Sequence, residues 1–162
     1  MIRIEASIAI QAPVATVFDA ERDVSFHTST QSHRNERAIS GVTSGLLRLG
    51  DEVEWEAFHF GIRQRLKVRI SEMNPPFYFK DEMVNGIFNS FSHEHHFSEI
   101  DALNTLKKDI IKFSAPLGSL GLIAEQVFLR RYMTKFIQRK NSDFKALLEN
   151  KNTVEQDAAA NP

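Results

Sequence analysis

The segment from Asp51 to Ile70, DEVEWEAFHFGIRQRLKVRI, decides how this chain folds. Turned back on itself at Phe60-Gly61, it sets His59 opposite Ile62, Ala57 opposite Gln64, Trp55 opposite Leu66 and Val53 opposite Val68, a mainly apolar face. The other face is charged, with Glu56 opposite Arg65, Glu54 opposite Lys67 and Glu52 opposite Arg69. Three oppositely charged pairs agree on one register, and a slip of one residue would lose them all. Each exposed pair contributes only about 0.2–1 kcal/mol, so the pairs fix register more than they add stability. That charged face reads as solvated.

Outward from the hairpin the pattern stays antiparallel. Ile2, Ile4, Ala6, Ile8 and Ile10 alternate with Arg3, Glu5 and Ser7, the period of a half-buried strand. Pro13 suits a helix's first turn, with Val14, Val17 and Phe18 on one helical face, and a second short helix is expected over Asp23 to Thr30. A strand near Arg34 to Ser40 leads into a loop whose Gly41, Gly45 and Gly50 permit positive φ. Leu46, Leu47 and Leu49 either line a cavity mouth or tuck under their own loop. Asn74-Pro75-Pro76 ends the long strand, and Phe77 to Val84 forms the next, with Phe77, Phe79, Asp81 and Met83 on one side. Asn85-Gly86 is a hairpin signal. A three-residue loop, Asn85 to Ile87 with Gly86 in the left-handed region, makes Phe91, His93, His95 and Phe97 continue the face of Phe79 and Asp81; a two-residue loop would swap the faces. Thr105 to Phe113 is the last strand, placing Asp109, Ile111 and Phe113 beside His95, His93 and Phe91.

From Pro116 to about Glu149 nothing breaks a long helix, in which Leu120, Ile123, Ala124, Val127, Phe128, Tyr132, Phe136 and Ile137 recur at three- and four-residue spacing. Ser114 or a neighbour is the expected cap, and Gly118 and Gly121 permit close approach to a strand or a mobile entrance. Residues 1–149 read as one domain, and 150–162, polar and Ala-rich without periodicity, as a disordered tail.

Composition excludes several classes. Lys and Arg number 20 against 21 Asp and Glu in 162 residues, so no overall field draws nucleic acid or an anionic membrane. No apolar run approaches the ~20 residues of a membrane span. The absence of Cys removes thiolate sites and disulfides, and we expect a cytoplasmic protein. Thirteen Phe against one Trp and two Tyr imply a Phe-lined interior.

The order strand, two short helices, about six more antiparallel strands and one long C-terminal helix resembles the START/Bet v-like (SRPBCC) superfamily. That superfamily includes lipid-transfer domains, birch-pollen-type allergens and polyketide cyclases. Ile10-Gln11-Ala12-Pro13, Val17-Phe18-Asp19, Asp23 and Phe26-His27 are similar to the opening of bacterial polyketide cyclase/dehydrase-like members. Gly50-Asp51-Glu52-Val53, Trp55-Glu56-Ala57, His59-Phe60-Gly61, Asp81, Gly86, Phe88, His93-Glu94-His95, Phe97 and Ala115-Pro116-Leu117-Gly118 look like a branch of that group whose function is unknown. The resemblance implies an α+β helix-grip fold, a curved antiparallel sheet of about seven strands around the C-terminal helix, with a hydrophobic tunnel between them.

Within such a cavity, Trp55, His59, Gln64, Phe79, Asp81, Phe91, His93, His95 and Asp109 supply an aromatic wall with a few orienting polar groups, and Phe128 and Tyr132 close it from the helix. His93 and His95 share a strand face, yet no third and fourth ligand stands at fixed spacing, so we expect no metal and no cofactor. Imidazoles hydrogen-bonded to Asp109 or Asp81 are the simpler reading. Ser90 and Ser92 lack any nucleophile elbow, and no Gly-rich phosphate loop follows a strand. The basic stretch from Lys135 through Lys140 reads as solvated. The expected function is binding of a lipid-, quinone- or polyketide-like molecule. One alternative is a cyclase or dehydratase using His59, Asp81 and His93. Another is a protein-interaction or assembly factor. The only expected ligand is small and hydrophobic, and a homodimer is left open.

Overall fold

The register anticipated for Asp51 to Ile70 is the one the chain adopts in a computed structural model: Glu52 pairs Arg69, Trp55 pairs Leu66, Glu56 pairs Arg65 and His59 pairs Ile62. The structure describes residues 1–30, 36–59, 61–114 and 125–160, with the side chains at 125, 126 and 154–160 left out. Phe60 of the hairpin tip, residues 31–35 before the second strand, and residues 115–124, with the Pro116, Gly118, Gly121, Leu120, Ile123 and Ala124 expectations, lie outside the described residues.

Seven strands, β1 (Ile2–Ile10), β2 (Arg37–Gly41), β3 (Glu52–His59), β4 (Ile62–Asn74), β5 (Tyr78–Gly86), β6 (Ser90–Asp101) and β7 (Asn104–Ser114), form one antiparallel sheet in the order β1-β7-β6-β5-β4-β3-β2. Helices α1 (Val14–Glu21) and α2 (Val24–Thr30) follow β1, and a π-helical turn, Glu125–Leu129, leads into α3 (Arg130–Ala160). None of the described helices is long and apolar enough to cross a membrane.

Alternation in β1 and β7 and the 3.6-residue stripe of α3 bury one face each. Met133 and Ile137 of α3 pack with Ile2, Ile4, Ile111 and Phe113. Two further ties hold the helix to β1: Lys145 Nζ donates to the Ala9 carbonyl at 2.9 Å, and Gln11 N–H donates to Glu149 Oε1 at 2.7 Å. A second cluster joins α1 and α2 to the sheet centre, where Phe18 stands edge-on to Phe79 and Phe97 at 5.8 and 5.6 Å between ring centroids. Such edge-to-face pairs add about 0.5–1.5 kcal/mol beyond area burial.

Several local expectations change. The β5–β6 turn is Ile87 to Asn89 rather than Asn85 to Ile87, and Gly86 is a strand residue paired with Leu66. The long β4 keeps offering ladder partners past a bulge at Lys67/Val68, so inter-strand pairing overrides the local turn preference. The faces survive, because Asp81 still pairs His93 and Phe79 pairs His95. Ser114 ends β7 and shares a 2.7 Å hydrogen bond with Ser90 Oγ, while the helix start that it or a neighbour is expected to cap lies outside the described residues. Helix α3 runs to Ala160 across most of the stretch expected to be a disordered tail; it holds neither Gly nor Pro, and its alanines favour helix without needing a packed face. Phe77, expected on the inner face with Phe79, precedes β5 and is 46 % exposed.

The outer face of the hairpin is not uniformly solvated. Glu56 is only 3 % exposed, roofed by Arg37, Arg65 and Arg63, whose nitrogens stand 2.7, 3.0 and 3.9 Å from its carboxylate. Lys67 reaches diagonally to Glu52 at 2.6 Å, leaving Glu54 to accept from Ser40 Oγ at 2.7 Å.

Gly41 turns the chain out of β2 at φ +75, and a Cβ there would lie 2.2 Å from the Glu52 carbonyl oxygen; Gly45 has φ +78 and open space around it. Gly45→Ala should therefore cost about the 1–2 kcal/mol of a left-handed alanine. Gly41→Ala should cost clearly more, because backbone must move as well. Chemical denaturation of both variants checks the order, and equal losses would contradict it.

Candidate functional site

A cavity of about 230 Å3 lies between the sheet's inner face and α3, with α1 and α2 at one end. Most of the residues singled out in the sequence line it. Trp55, His59 and Gln64 come from the β3–β4 hairpin, Phe79 and Asp81 from β5, Phe91, His93 and His95 from β6, and Tyr132 from α3. Alternation in β5 and β6 places Phe79, Asp81, Phe91, His93 and His95 on one wall. Two expectations fail. Asp109, 1 % exposed, stands behind that wall, and Phe128 is 62 % exposed, away from the lining. The π-helical turn accounts for Phe128: its extra residue per turn offsets the helical face, so that Leu129 lines the cavity instead.

Asp109 is the hub of a buried polar network. Its Oδ1 accepts from His93 Nε2 at 2.9 Å, and its Oδ2 accepts from Lys107 Nζ at 2.6 Å and from Asn141 Nδ2 at 2.7 Å. Lys107 also donates to Asn141 Oδ1 at 2.8 Å. His95 Nε2 donates to Asp81 Oδ2 at 3.0 Å, and its Nδ1 lies 3.3 Å from Asp109 Oδ1 and 3.4 Å from Glu21 Oε1. Glu21, at the end of α1, also faces Lys107 and Lys140, each at 3.4 Å. Lys140, expected in a solvated basic stretch, is 7 % exposed.

Charge is nearly balanced in this network. Burial opposes charging of every member, but their mutual attraction outweighs it for most of them. Burial alone would raise Glu21, Asp81 and Asp109, yet Lys107, Lys140 and the histidines hold all three below their usual values. Burial would likewise lower Lys140, but Glu21, Asp109 and Glu36 raise it, so it stays an ammonium and is no amine nucleophile. The two histidines part company. Desolvation and the neighbouring His95 charge lower His93 to about 4, whereas Asp109, Asp81 and Glu21 overcome desolvation and raise His95 to about 10. At neutral pH His93 is thus a neutral ring with Nε2–H given to Asp109 and a lone pair on Nδ1, and His95 is an imidazolium.

Two smaller pairs complete the lining. His27 stacks on Trp55 with ring centroids 4.2 Å apart and pairs Glu36 at 2.6 Å. His59 Nδ1 and Tyr132 Oη, 2.7 Å apart, join hairpin to helix. Sequence reasoning misses Glu21, Lys107, Lys140 and Asn141, although each sits on an apolar face: Glu21 three residues after Phe18, Lys107 in step with Asp109 and Ile111, and Lys140 and Asn141 between Ile137 and Phe144. Two trios, Asp81/His93/His95 and Glu21/His95/Asp109, have ligand atoms close enough to hold a cation. Their positive partners are already present as Lys107, Lys140 and the His95 proton, and a divalent ion there would face two ammonium groups.

The likeness to solved structures follows from this architecture. A protein of Thermus thermophilus superposes with a TM-score of 0.76 at 12 % identity, covering 93 % of this chain and 99 % of its own. A START superfamily protein of Mycobacterium smegmatis gives 0.71 at 7 % identity, covering 91 % and 97 %. The Zhui aromatase/cyclase of Streptomyces sp. R1128 gives 0.66 at 16 % identity, covering 92 % of each chain. No protein-family model and no curated protein matches the sequence. The chain has the helix-grip fold, as these structures do.

Asp109→Asn should leave the buried cations Lys107, Lys140 and His95 one carboxylate short, take the nearest acceptor from Lys107, and cost about 3–5 kcal/mol. At about 2–4 °C per kcal/mol for a chain of this size, the unfolding midpoint should drop by roughly 10 °C. Lys108→Gln, which breaks the exposed 2.8 Å pair with Glu5, should cost under about 1 kcal/mol; similar losses for the two would contradict the hub. Stability should also peak near pH 6.5. The unfolded chain takes up the His93 proton between pH 6.5 and about 4 while the folded chain does not, so stability falls as pH drops through that window. The His95 contribution is complete below 6.5 and is lost as pH rises toward about 10, so a midpoint level across that range would rule out the buried imidazolium.

Proposed function

We propose that this protein binds a hydrophobic small molecule, lipid-, quinone- or polyketide-like, in the cavity between sheet and α3. One observation carries the reading: the 230 Å3 cavity is walled by Leu66, Phe79, Phe88, Phe91 and Ile111, and its lining is mainly apolar with polar groups such as His59, Asp81, His93 and Tyr132 set into it. A cavity of ~150 Å3 with apolar walls already holds benzene. Ligand sites of this kind combine an apolar lining with a few polar groups that set orientation. The protein of Streptomyces with this fold is an aromatase/cyclase and one of Mycobacterium is a START superfamily protein. Neither likeness carries function by itself, because function resides in sites.

Trp55 is the one tryptophan of the chain and lines the cavity, so its emission reports occupancy. Native mass spectrometry of gently purified protein should show a bound mass that is lost on denaturing extraction, and its removal should shift Trp55 emission. Bare protein whose Trp55 emission no apolar probe moves would exclude the binding reading.

A second reading, a cyclase or dehydratase, draws on the His59–Tyr132 contact of 2.7 Å at the cavity wall, a pair able to pass a proton to a bound ketone. His59→Gln, Asp81→Asn or His93→Gln should then abolish turnover of a polyketide-like substrate while ligand binding persists. Turnover unaffected by all three would leave the binding reading alone.

A further inference from the structure

The wall that Asp81, His93 and Lys140 present to the cavity is rich in acceptors. Among the described residues, His95 engages only one Asp81 oxygen, at 3.0 Å, and His93 gives its single N–H to Asp109 at 2.9 Å. Neither oxygen of buried Glu21 accepts a hydrogen bond among those residues. A buried acceptor left without a donor costs about 1–3 kcal/mol, so such a wall favours a ligand that supplies one. The opposing donor is Lys140 Nζ, whose ion-pair partner Glu21 Oε1 is 3.4 Å away.

Charge narrows the choice. Glu21, Asp81 and Asp109 are matched by Lys107, Lys140 and the His95 imidazolium, and Glu36 adds a fourth buried carboxylate on the lining beside His27. Arg22, Asp23 and Arg65 also line the cavity, so its charges are close to balance, and what the wall lacks locally is a donor for the open Asp81 and His93 acceptors. An anionic group drawn against those acceptors would lose its hydration and bring them no donor. A neutral hydroxyl meets neither cost. Asp81, His93 and His95 offer atoms that all lie within 4.8 Å of one another, so one hydroxyl placed there can donate its single hydrogen to either the Asp81 or the His93 acceptor. Size narrows it again, because 230 Å3 falls below the ~300–1,000 Å3 of pockets for drug-sized ligands.

We infer that the ligand is a compact neutral molecule, an apolar body of about two fused rings carrying a hydroxyl that donates to Asp81 or His93, and that it is preferred over an anion of the same shape. This rests on the cavity-binding reading and specifies it. The hydroxyl donates to the Asp81 oxygen left free by His95 or to His93 Nδ1, and Lys140 stands as donor to its oxygen. The apolar body lies against Phe79, Phe91 and Leu66.

The test uses the full chain and three probes of one shape: 2-naphthol, 2-methylnaphthalene and 2-naphthoate. Calorimetry gives affinities, and the Trp55 indole N–H resonance confirms entry into the cavity. Naphthol should bind at least about tenfold more tightly than either of the others, a difference of about 1.4 kcal/mol. Asp81→Asn, which removes one negative charge and one strong acceptor, should shrink both ratios toward unity. Naphthoate binding as tightly as naphthol, or a hydroxyl no better than a methyl, overturns the inference while leaving cavity binding intact. Silence of the Trp55 resonance toward all three probes overturns cavity binding itself and this inference with it. Should Asp81→Asn not fold, the three wild-type affinities decide the matter alone.

Discussion

Burying ionised groups next to a cavity forces the rest of the design. Asp109 on β7 binds His93 of β6, Lys107 of its own strand and Asn141 of α3, while Glu21 brings in α1 and Asp81 brings in β5. No member can leave without stranding another in low dielectric. The network therefore fixes how α3 and α1 sit against the sheet with a directionality that contacts among Phe18, Phe79 and Phe97 do not possess. Close-packed apolar clusters supply the bulk of the burial. The charges select among the ways those clusters could slide past one another.

The same network divides two chemically identical side chains. His93 and His95 have ring centroids 3.8 Å apart, but three carboxylates surround His95 whereas His93 makes its hydrogen bond to Asp109 alone and feels the neighbouring cation. Environment alone makes one ring a neutral donor–acceptor and the other a fixed cation. The stretch of cavity wall formed by Asp81, His93 and His95 is thereby polar within a mainly apolar lining.

Much of this is legible in the residues and some is not. The β3–β4 register can be read because three opposite-charge pairs and one apolar face agree on it, and the β5–β6–β7 faces can be read because alternation survives an error in turn position. Gly86 shows the limit: the turn preference of Asn85-Gly86 is local, and the length of β4 that overrides it is not. Lys107, Lys140, Asn141 and Glu21 lie on apolar faces by simple spacing, yet polar residues at such positions read as exposed unless their partners are known, and those partners lie up to 119 residues away, as Lys140 does from Glu21. Phe128 escapes a reading by spacing because a π-helical turn alters helical phase without any signature in the sequence.

The sheet has two open margins, and β2 is the shorter of the strands that form them. It spans five residues, is bulged between Ala38 and Ser40, and its Arg37 is drawn across the outer surface to Glu56. A stranger's backbone seeking to extend the sheet there finds a brief, kinked template guarded by a guanidinium, so self-association through this margin is discouraged by the same arginine that roofs a neighbouring carboxylate.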